Sequence, residues 1–270
     1  MTDLRVAIAG AGGRMGAANI RAVAATPGLV LHSAFERPGS PAVGRDAGQL
    51  SGLNALNVII GDDAEAALVG ADAIIDFTGP AVSVMLAELA ASRSLVDIIG
   101  TTGCSKEEDW TIQKAGSAGA RIVKTGNFSL GVNLLAGLVK QVSAALPDYD
   151  VEILEMHHNK KVDAPSGTAL MLGRAAAAGR DQPFDENAIL SREGHTGPRR
   201  RSSIGFATLR GGNVIGEHTA FFVGETERIE ITHRATDRGM FAAGAVRAAL
   251  WAKDQPPGFY DMADVLGMKE

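Results

Sequence analysis

The feature that most constrains this chain is the alternation in its first half. Short branched apolar runs take turns with alanine-rich helical stretches, the pattern of βαβ units around a parallel sheet. Strands are expected at Val6 to Ala9, Val30 to Phe35, Ala73 to Phe77, Val96 to Ile99 and Arg121 to Lys124. Helices are expected at Gly16 to Ala25, Pro80 to Ser92 and Lys106 to Ser117.

A helix from Asn133 to about Ala145 leads out of this pattern, and the character then changes. Val151 to Met156, Ile204 to Leu209, Asn213 to Val223 and Arg228 to Arg234 read as strands, interrupted by one obvious helix, Thr168 to Ala178. Phe241 to Trp251 reads as a helix that returns to the first domain. Residues 35–52 and 181–203 are rich in Gly, Pro and charge and read as loops. The expected fold is α/β: a Rossmann-like parallel-sheet domain of residues 1–128 and 241–270, and a second, α+β domain of residues 129–240 with an open, mixed or largely antiparallel sheet.

With 46% hydrophobic and 21% charged residues, the 270-residue chain is globular rather than disordered. Its single cysteine, Cys104, excludes an internal disulfide framework and a cysteine-rich metal cluster; it reads as a small residue near a turn in a protein of a reducing compartment. Met1 to Arg5 run directly into apolar residues, leaving no room for an export signal, and no apolar run approaches a bilayer span, so a soluble, cytoplasmic protein is expected. A net charge of −5 argues against nucleic acid as a partner, and the Arg199-Arg-Arg201 run reads as a solvated loop.

Two places carry chemistry. Gly10-Ala-Gly-Gly-Arg-Met-Gly16 follows an expected strand and opens an expected helix, where small residues let the backbone approach a pyrophosphate and the helix start offers N–H groups. Its spacing is GxxGxxG rather than GxGxxG. Glu36, twenty positions beyond Gly16 at the end of the second strand, is placed to meet an adenosine ribose, and Arg37 beside it suits a 2′-phosphate. The pair indicates that both NADH and NADPH are accepted, and Arg14 is within reach of the same phosphates. Gly100, Thr101 and Thr102, and Thr125, Gly126, Asn127 and Phe128, fall where later strands end and are placed to line the nicotinamide half. The alternative is that these are plain turns and a solvated strand end.

The second place is Glu155-Met-His-His-Asn-Lys-Lys-Val-Asp-Ala-Pro-Ser-Gly-Thr168, leaving a strand and entering a helix. His157 and His158 can exchange a proton near neutral pH, Lys160 and Lys161 bring positive charge, and Ser166-Gly167-Thr168 brings helix-start N–H groups, a set suited to an anionic substrate that must be protonated. Adjacent histidines on a strand point to opposite faces and lack a completing carboxylate, so no metal is expected. The bland alternative is one histidine satisfying core hydrogen bonds beside solvated lysines.

These segments, with Asp76-Phe-Thr78, Asn127-Phe-Ser129, Ser191-Arg-Glu-Gly-His-Thr-Gly197 and Gly216-Glu-His-Thr219, resemble the dihydrodipicolinate reductase family over nearly the whole chain. The stretch Glu155 to Thr168 is specific, whereas the glycine turn is shared with many oxidoreductases. The resemblance implies that His157 is the general acid and base, that Lys161 is a second proton donor or electrostatic aid, and that His158, Gly167 and Thr168 bind substrate. It implies a dicarboxylate ring substrate reduced by NADPH or NADH in lysine and diaminopimelate biosynthesis, and a homotetramer formed through the second domain's sheet. Lysines hold their protons tightly at neutral pH, so Lys161 is expected to act chiefly by stabilising developing negative charge. Gly79 departs from the pattern, since several relatives carry an arginine there. Two other classes compete: a noncatalytic nicotinamide-binding regulator, which would not need the His157 to Thr168 cluster, and a two-domain oxidoreductase acting on a sugar or an aldehyde.

Overall fold

The computed structural model describes residues 2–269, which divide into two compact units: residues 2–130 with 239–269, and residues 131–238. Along the chain the first unit builds β1 (Leu4–Ala9), α1 (Arg14–Ala25), β2 (Leu29–Phe35), the one-turn helices α2 (Ala47–Leu50) and α3 (Ala64–Ala67), β3 (Ala73–Asp76), α4 (Pro80–Arg93), β4 (Val96–Ile99), α5 (Lys106–Ser117) and β5 (Arg121–Lys124). Helix α6 (Leu130–Ala145) leads into the second unit, with β6 (Asp150–His157), α7 (Gly167–Gly179), α8 (Phe184–Asn187), β7 (Ala188–Ile189), β8 (Ile204–Arg210), β9 (Glu217–Val223) and β10 (Arg228–Arg234). The chain then re-enters the first unit as α9 (Gly239–Ala252), β11 (Gly258–Tyr260) and α10 (Met262–Val265).

In the first unit all six strands run parallel in the order β11-β5-β4-β3-β1-β2. Strands β3 and β4 are buried throughout, as a sheet covered on both faces demands. One face carries Val6, Ile8, Ile75 and Ile98 against Ile20 of α1 and Ala245, Ala248 and Ala249 of α9. The other carries Ile74 and Ile99 against Leu86 and Ala90 of α4 and Ile112 of α5. Asp97 of β4 shares that second face, fully buried, with neither carboxylate oxygen hydrogen-bonded. The strand order reverses between β1 and β3, which puts a crevice at the carboxyl ends of those strands.

The second unit is a mixed sheet ordered β10-β9-β6-β8-β7, with β6 parallel to β8 and antiparallel to β9. One face packs Val151, Ile153, Phe206 and Phe222 against Leu172 and Ala176 of α7 and Val139 of α6. The opposite face, with Leu154, Met156, Leu209 and Phe221, lies outside this core; Leu209 is 47% exposed.

Several expectations need correction. The first sheet has a sixth strand, β11, where five were expected. The segments read as loops contain α2, α8 and β7, because Asp46 caps α2 through the Gln49 N–H and the two residues of β7 add to the edge of β8. Strand β9 starts at Glu217 rather than Asn213, since Gly212 turns with φ +52° and pairing begins only after Gly216. Helix α6 begins at Leu130, three residues earlier than Asn133.

Candidate functional site

In the first unit, the turn after β1 is shaped by glycine. Gly10 turns with φ +67°, and a Cβ on Gly16 would stand 2.2 Å from the Gly10 carbonyl oxygen, so the first turn of α1 can lie against the loop only with glycine there. Gly13 caps α1 without any side-chain hydrogen bond, which leaves the helix start open to an external acceptor. Glu36, at the end of β2, accepts from the Gly12 N–H at 3.1 Å and from the Arg37 N–H at 3.0 Å.

Gly10, Glu36, Arg37, Thr78 and Gly79 line one cleft of about 860 Å³ at the strand-order reversal. Asp76 fixes its floor. Burial pushes the Asp76 carboxyl up, while it accepts from Ser83, from the Thr78 hydroxyl and from the Thr78 N–H at 2.9 Å, holding the β3–α4 turn. Val82 and Met85 of α4 supply an apolar wall, and Asp62, Asp63 and Glu65 line the cleft with Glu36, against Arg37 as the one lining cation among the described residues. Sequence reasoning missed this acidic wall, because it lies in the irregular stretch between β2 and β3.

Of the other residues singled out in this unit, Gly12, Gly13 and Arg14 are exposed at the turn, Met15 is half-buried, and Ala11 is buried and can offer only backbone. Gly100, Thr101 and Thr102 follow β4, and Thr125, Gly126, Asn127 and Phe128 follow β5, all at carboxyl ends of strands. Thr101 is buried, and Phe128 is spent in the core, its ring 5.5 Å from that of Phe77. Asn127 shapes the second loop by accepting from the Ser129 N–H at 2.9 Å. Cys104 is half-buried against the core, and burial pushes its thiol up. A glycine turn, an uncapped helix start and an acid at the end of the second strand together fit a dinucleotide.

In the second unit, β6 carries both core and chemistry on one face. Alternate residues share a face, so Val151 and Ile153 enter the hydrophobic core, and Glu155 and His157 continue the same row as buried polar groups. The His157 Nδ1 stands 2.5 Å from Glu155 Oε2. Arg210, paired with His157 across β6 and β8, donates to both Glu155 oxygens, at 2.8 and 3.0 Å. The Ser166 N–H adds a third donor at 3.1 Å, and the Ser166 hydroxyl caps α7 by accepting from the Ala169 N–H. His218 of β9 lies edge-on to His157, ring centroids 5.1 Å apart, with its Nε2 3.1 Å from Ser166 Oγ.

These contacts set the charges. Burial pushes Glu155 up, but Arg210 and His157 outweigh it and hold the carboxylate below its ordinary range. Burial pushes His157 down; Glu155 opposes this, while Lys161 and Arg210 reinforce it. Burial, with His157 second, lowers His218 to about 4. Lys161 pairs with Asp163 at 2.8 Å, and His158, just past β6, keeps a buried Nδ1 without a hydrogen-bond partner among the described residues. Gly167 and Thr168 open α7, the end whose N–H groups face outward along the helix. Lys160 is exposed. Of the sequence cluster, Glu155, Lys161 and Ser166 gather at His157, joined by Arg210 and His218; the i, i+2 spacing of Glu155 and His157 was a signal for the dyad, whereas Arg210 carried none. Among the described residues no group of three or more His, Cys, Asp or Glu is arranged to hold a metal, and no helix is long and apolar enough to cross a membrane.

Comparison with known proteins extends the picture. The family "Dihydrodipicolinate reductase, N-terminus" matches residues 4–128, and "Dihydrodipicolinate reductase, C-terminus" matches residues 131–266. The chain is 54% identical over 267 residues to the 4-hydroxy-tetrahydrodipicolinate reductase of Rhizobium rhizogenes, covering 98% of this chain and 97% of that one. It is also 54% identical over 271 residues to the protein of that name from Rhodopseudomonas palustris, covering both chains completely. A solved dipicolinate-bound dihydrodipicolinate reductase from Paenisporosarcina sp. TG-14 shares the fold, with a TM-score of 0.77 at 22% identity over 96% of this chain and 98% of that one. With both halves of the family and full-length relatives matched at this identity, the chain belongs to the dihydrodipicolinate reductase family.

Proposed function

We propose that this chain uses reduced nicotinamide to convert 4-hydroxy-tetrahydrodipicolinate into tetrahydrodipicolinate with loss of water, a step of lysine and diaminopimelate biosynthesis. The observation that carries the proposal, beside family membership, is the buried Glu155–His157 dyad next to Lys161 and the start of α7. A reduced nicotinamide, held by the glycine turn and the strand-end loops of the first unit, would supply hydride to the conjugated ring. His157 then exchanges the proton at the neighbouring ring carbon, acting as the general acid and base. Lys161 stabilises the negative charge that builds as the ring is reduced. His158, Gly167 and Thr168 hold the dicarboxylate, for which the α7 start and the cations provide complementary charge. Because burial and neighbouring cations depress His157, carboxylates arriving beside it would raise it again and load the proton when substrate is present.

The first unit is the cofactor half of this proposal. Gly10, Ala11, Gly12, Gly13, Arg14 and Met15 cradle the pyrophosphate, Glu36 and Arg37 take the ribose, and the loops after β4 and β5 serve the nicotinamide end. Both NADH and NADPH are accepted; the acidic lining, with Arg37 its one cation among the described residues, supports a preference for the free 2′-hydroxyl of NADH. The half-exposed face of the second sheet supports a homotetramer, and a cytoplasmic location belongs to the same reading.

The test is oxidation of NADH and NADPH by the purified protein with freshly generated 4-hydroxy-tetrahydrodipicolinate, alongside His157→Ala. Rapid oxidation that collapses in the variant supports the assignment. No substrate-dependent oxidation by folded wild type, with either cofactor, sinks it and favours the noncatalytic sensor.

A further inference from the structure

The surroundings of His157 assign work to a residue that neither the motifs nor the relatives' names single out. Glu155 is 1% exposed, and its carboxylate meets four donors: the Arg210 guanidinium through two nitrogens, the Ser166 N–H, the Thr208 hydroxyl at 3.4 Å and His157 Nδ1. An ionised carboxylate can only accept, so the proton between Glu155 and His157 sits on Nδ1. That leaves Nε2 as the proton-exchanging atom of the neutral ring.

We propose that Glu155, clamped by Arg210, is the positioning residue of the reaction: it fixes the His157 ring and its tautomer so that Nε2 is the atom that trades a proton with substrate. The inference rests on the acid–base role of His157 given above.

Two further features agree. A Cβ on Gly216 would come within 3.0 Å of His157 Nε2, so a glycine keeps the space beside that atom free of a side chain. The groups facing His157 come from four elements: Glu155 on its own strand, Lys161 on the loop after β6, Arg210 on β8 and His218 on β9. Burial, Lys161 and Arg210 all oppose protonation of the ring, and Glu155 alone favours it. His218 stays neutral near pH 7 and adds no repulsion. The carboxylate is therefore the one of these neighbours that favours the imidazolium, and it limits how far burial and the cations depress the ring.

The first measurement is the 15N spectrum of the histidines in labelled wild-type protein, with His157 assigned by its absence in His157→Ala. A neutral His157 ring protonated on Nδ1 supports the proposal, and one protonated on Nε2 overturns it, whatever the protein's substrate. The second is Glu155→Gln, which keeps the shape and removes the charge. Turnover is expected to fall on the order of 10²-fold, with KM for substrate and nicotinamide within about twofold, and the alkaline limb of the rate profile is expected to move to lower pH. Lost turnover with an unmoved profile would make Glu155 merely structural and refute the proposal. Should the variant fail to fold, the wild-type tautomer decides. A wild type inert toward 4-hydroxy-tetrahydrodipicolinate would defeat the reductase reading instead, a result separate from the Nε2–H tautomer that would defeat this one.

Discussion

Replacing Asp97 with leucine should make the protein more stable, although it changes a fully buried residue in the middle of a parallel sheet. Leucine matches the branched shape of aspartate but sets two larger methyl groups where two oxygens stood, a packing cost offset by the apolar area they bury. Those oxygens have no hydrogen-bond partner, and they face the apolar cluster of Ile74, Ile99 and the α4 and α5 residues. Removing an unsatisfied buried polar group is worth about 1–3 kcal/mol. At roughly 2–4 °C per kcal/mol for a unit of this size, the melting temperature should rise by roughly 2–12 °C. The gain should also depend on pH. Burial, with Asp76 adding to it, pushes the Asp97 carboxyl well above its ordinary value. The native state therefore holds a proton that the unfolded chain releases, and stability falls as pH rises from the unfolded pKa of about 3.9 toward the folded one. Scanning calorimetry at pH 4.5 and 7.5 should show the leucine variant gaining more at the higher pH. Asp97→Asn should lose the pH dependence but keep most of the unsatisfied-polar penalty. A leucine variant that melts at or below wild type at pH 7.5, or gains more at pH 4.5, would refute the reasoning.

Gly16→Ala should abolish nicotinamide binding or prevent folding of the first unit, because its Cβ would stand 2.2 Å from a backbone oxygen that cannot move independently; fluorescence titration with NADH reading wild-type affinity would contradict this. Arg37→Ala should raise KM for NADPH on the order of tenfold while leaving KM for NADH within about twofold, since only the former loses a charge-assisted partner; equal effects in steady-state kinetics would remove Arg37 from the 2′ position. Lys161→Ala should lower turnover by roughly 10²–10³-fold with normal folding by circular dichroism, and near-normal turnover would overturn its electrostatic role.

The first unit was legible where burial on both faces wrote continuous apolar runs, and β4, α5 and β5 have the bounds their patterns predicted. Strand β11 was not legible. Its three residues follow Pro256 and Pro257, and they become a strand only by pairing with β5, more than 130 positions earlier. The one-turn helices α2, α3 and α10 are too short for periodicity to register, and each rests on an aspartate cap, Asp46, Asp63 or Asp261. In the site, His157 and Lys161 stood out because their chemistry is local in the chain. The contribution of Arg210 did not, because the β6–β8 pairing that brings it to Glu155 spans 55 positions and leaves no trace in either strand alone.

The return of the chain to its first unit also sets an order on biosynthesis. Ala245, Val246, Ala248, Ala249 and Ala252 of α9, with Met262 and Val265 of α10, complete the core cluster begun by β1, α1 and β2. At translation rates of about 5–20 residues per second, roughly 7–27 s separate the emergence of residue 130 from that of Val265. Throughout that interval the nascent sheet has an apolar face covered only by α1 and an unpaired β5 edge, the surface a chaperone holds and an aggregate recruits. Ribosome-stalled chains ending near residue 238 should therefore bind holdase chaperones more strongly than chains extending past Val265.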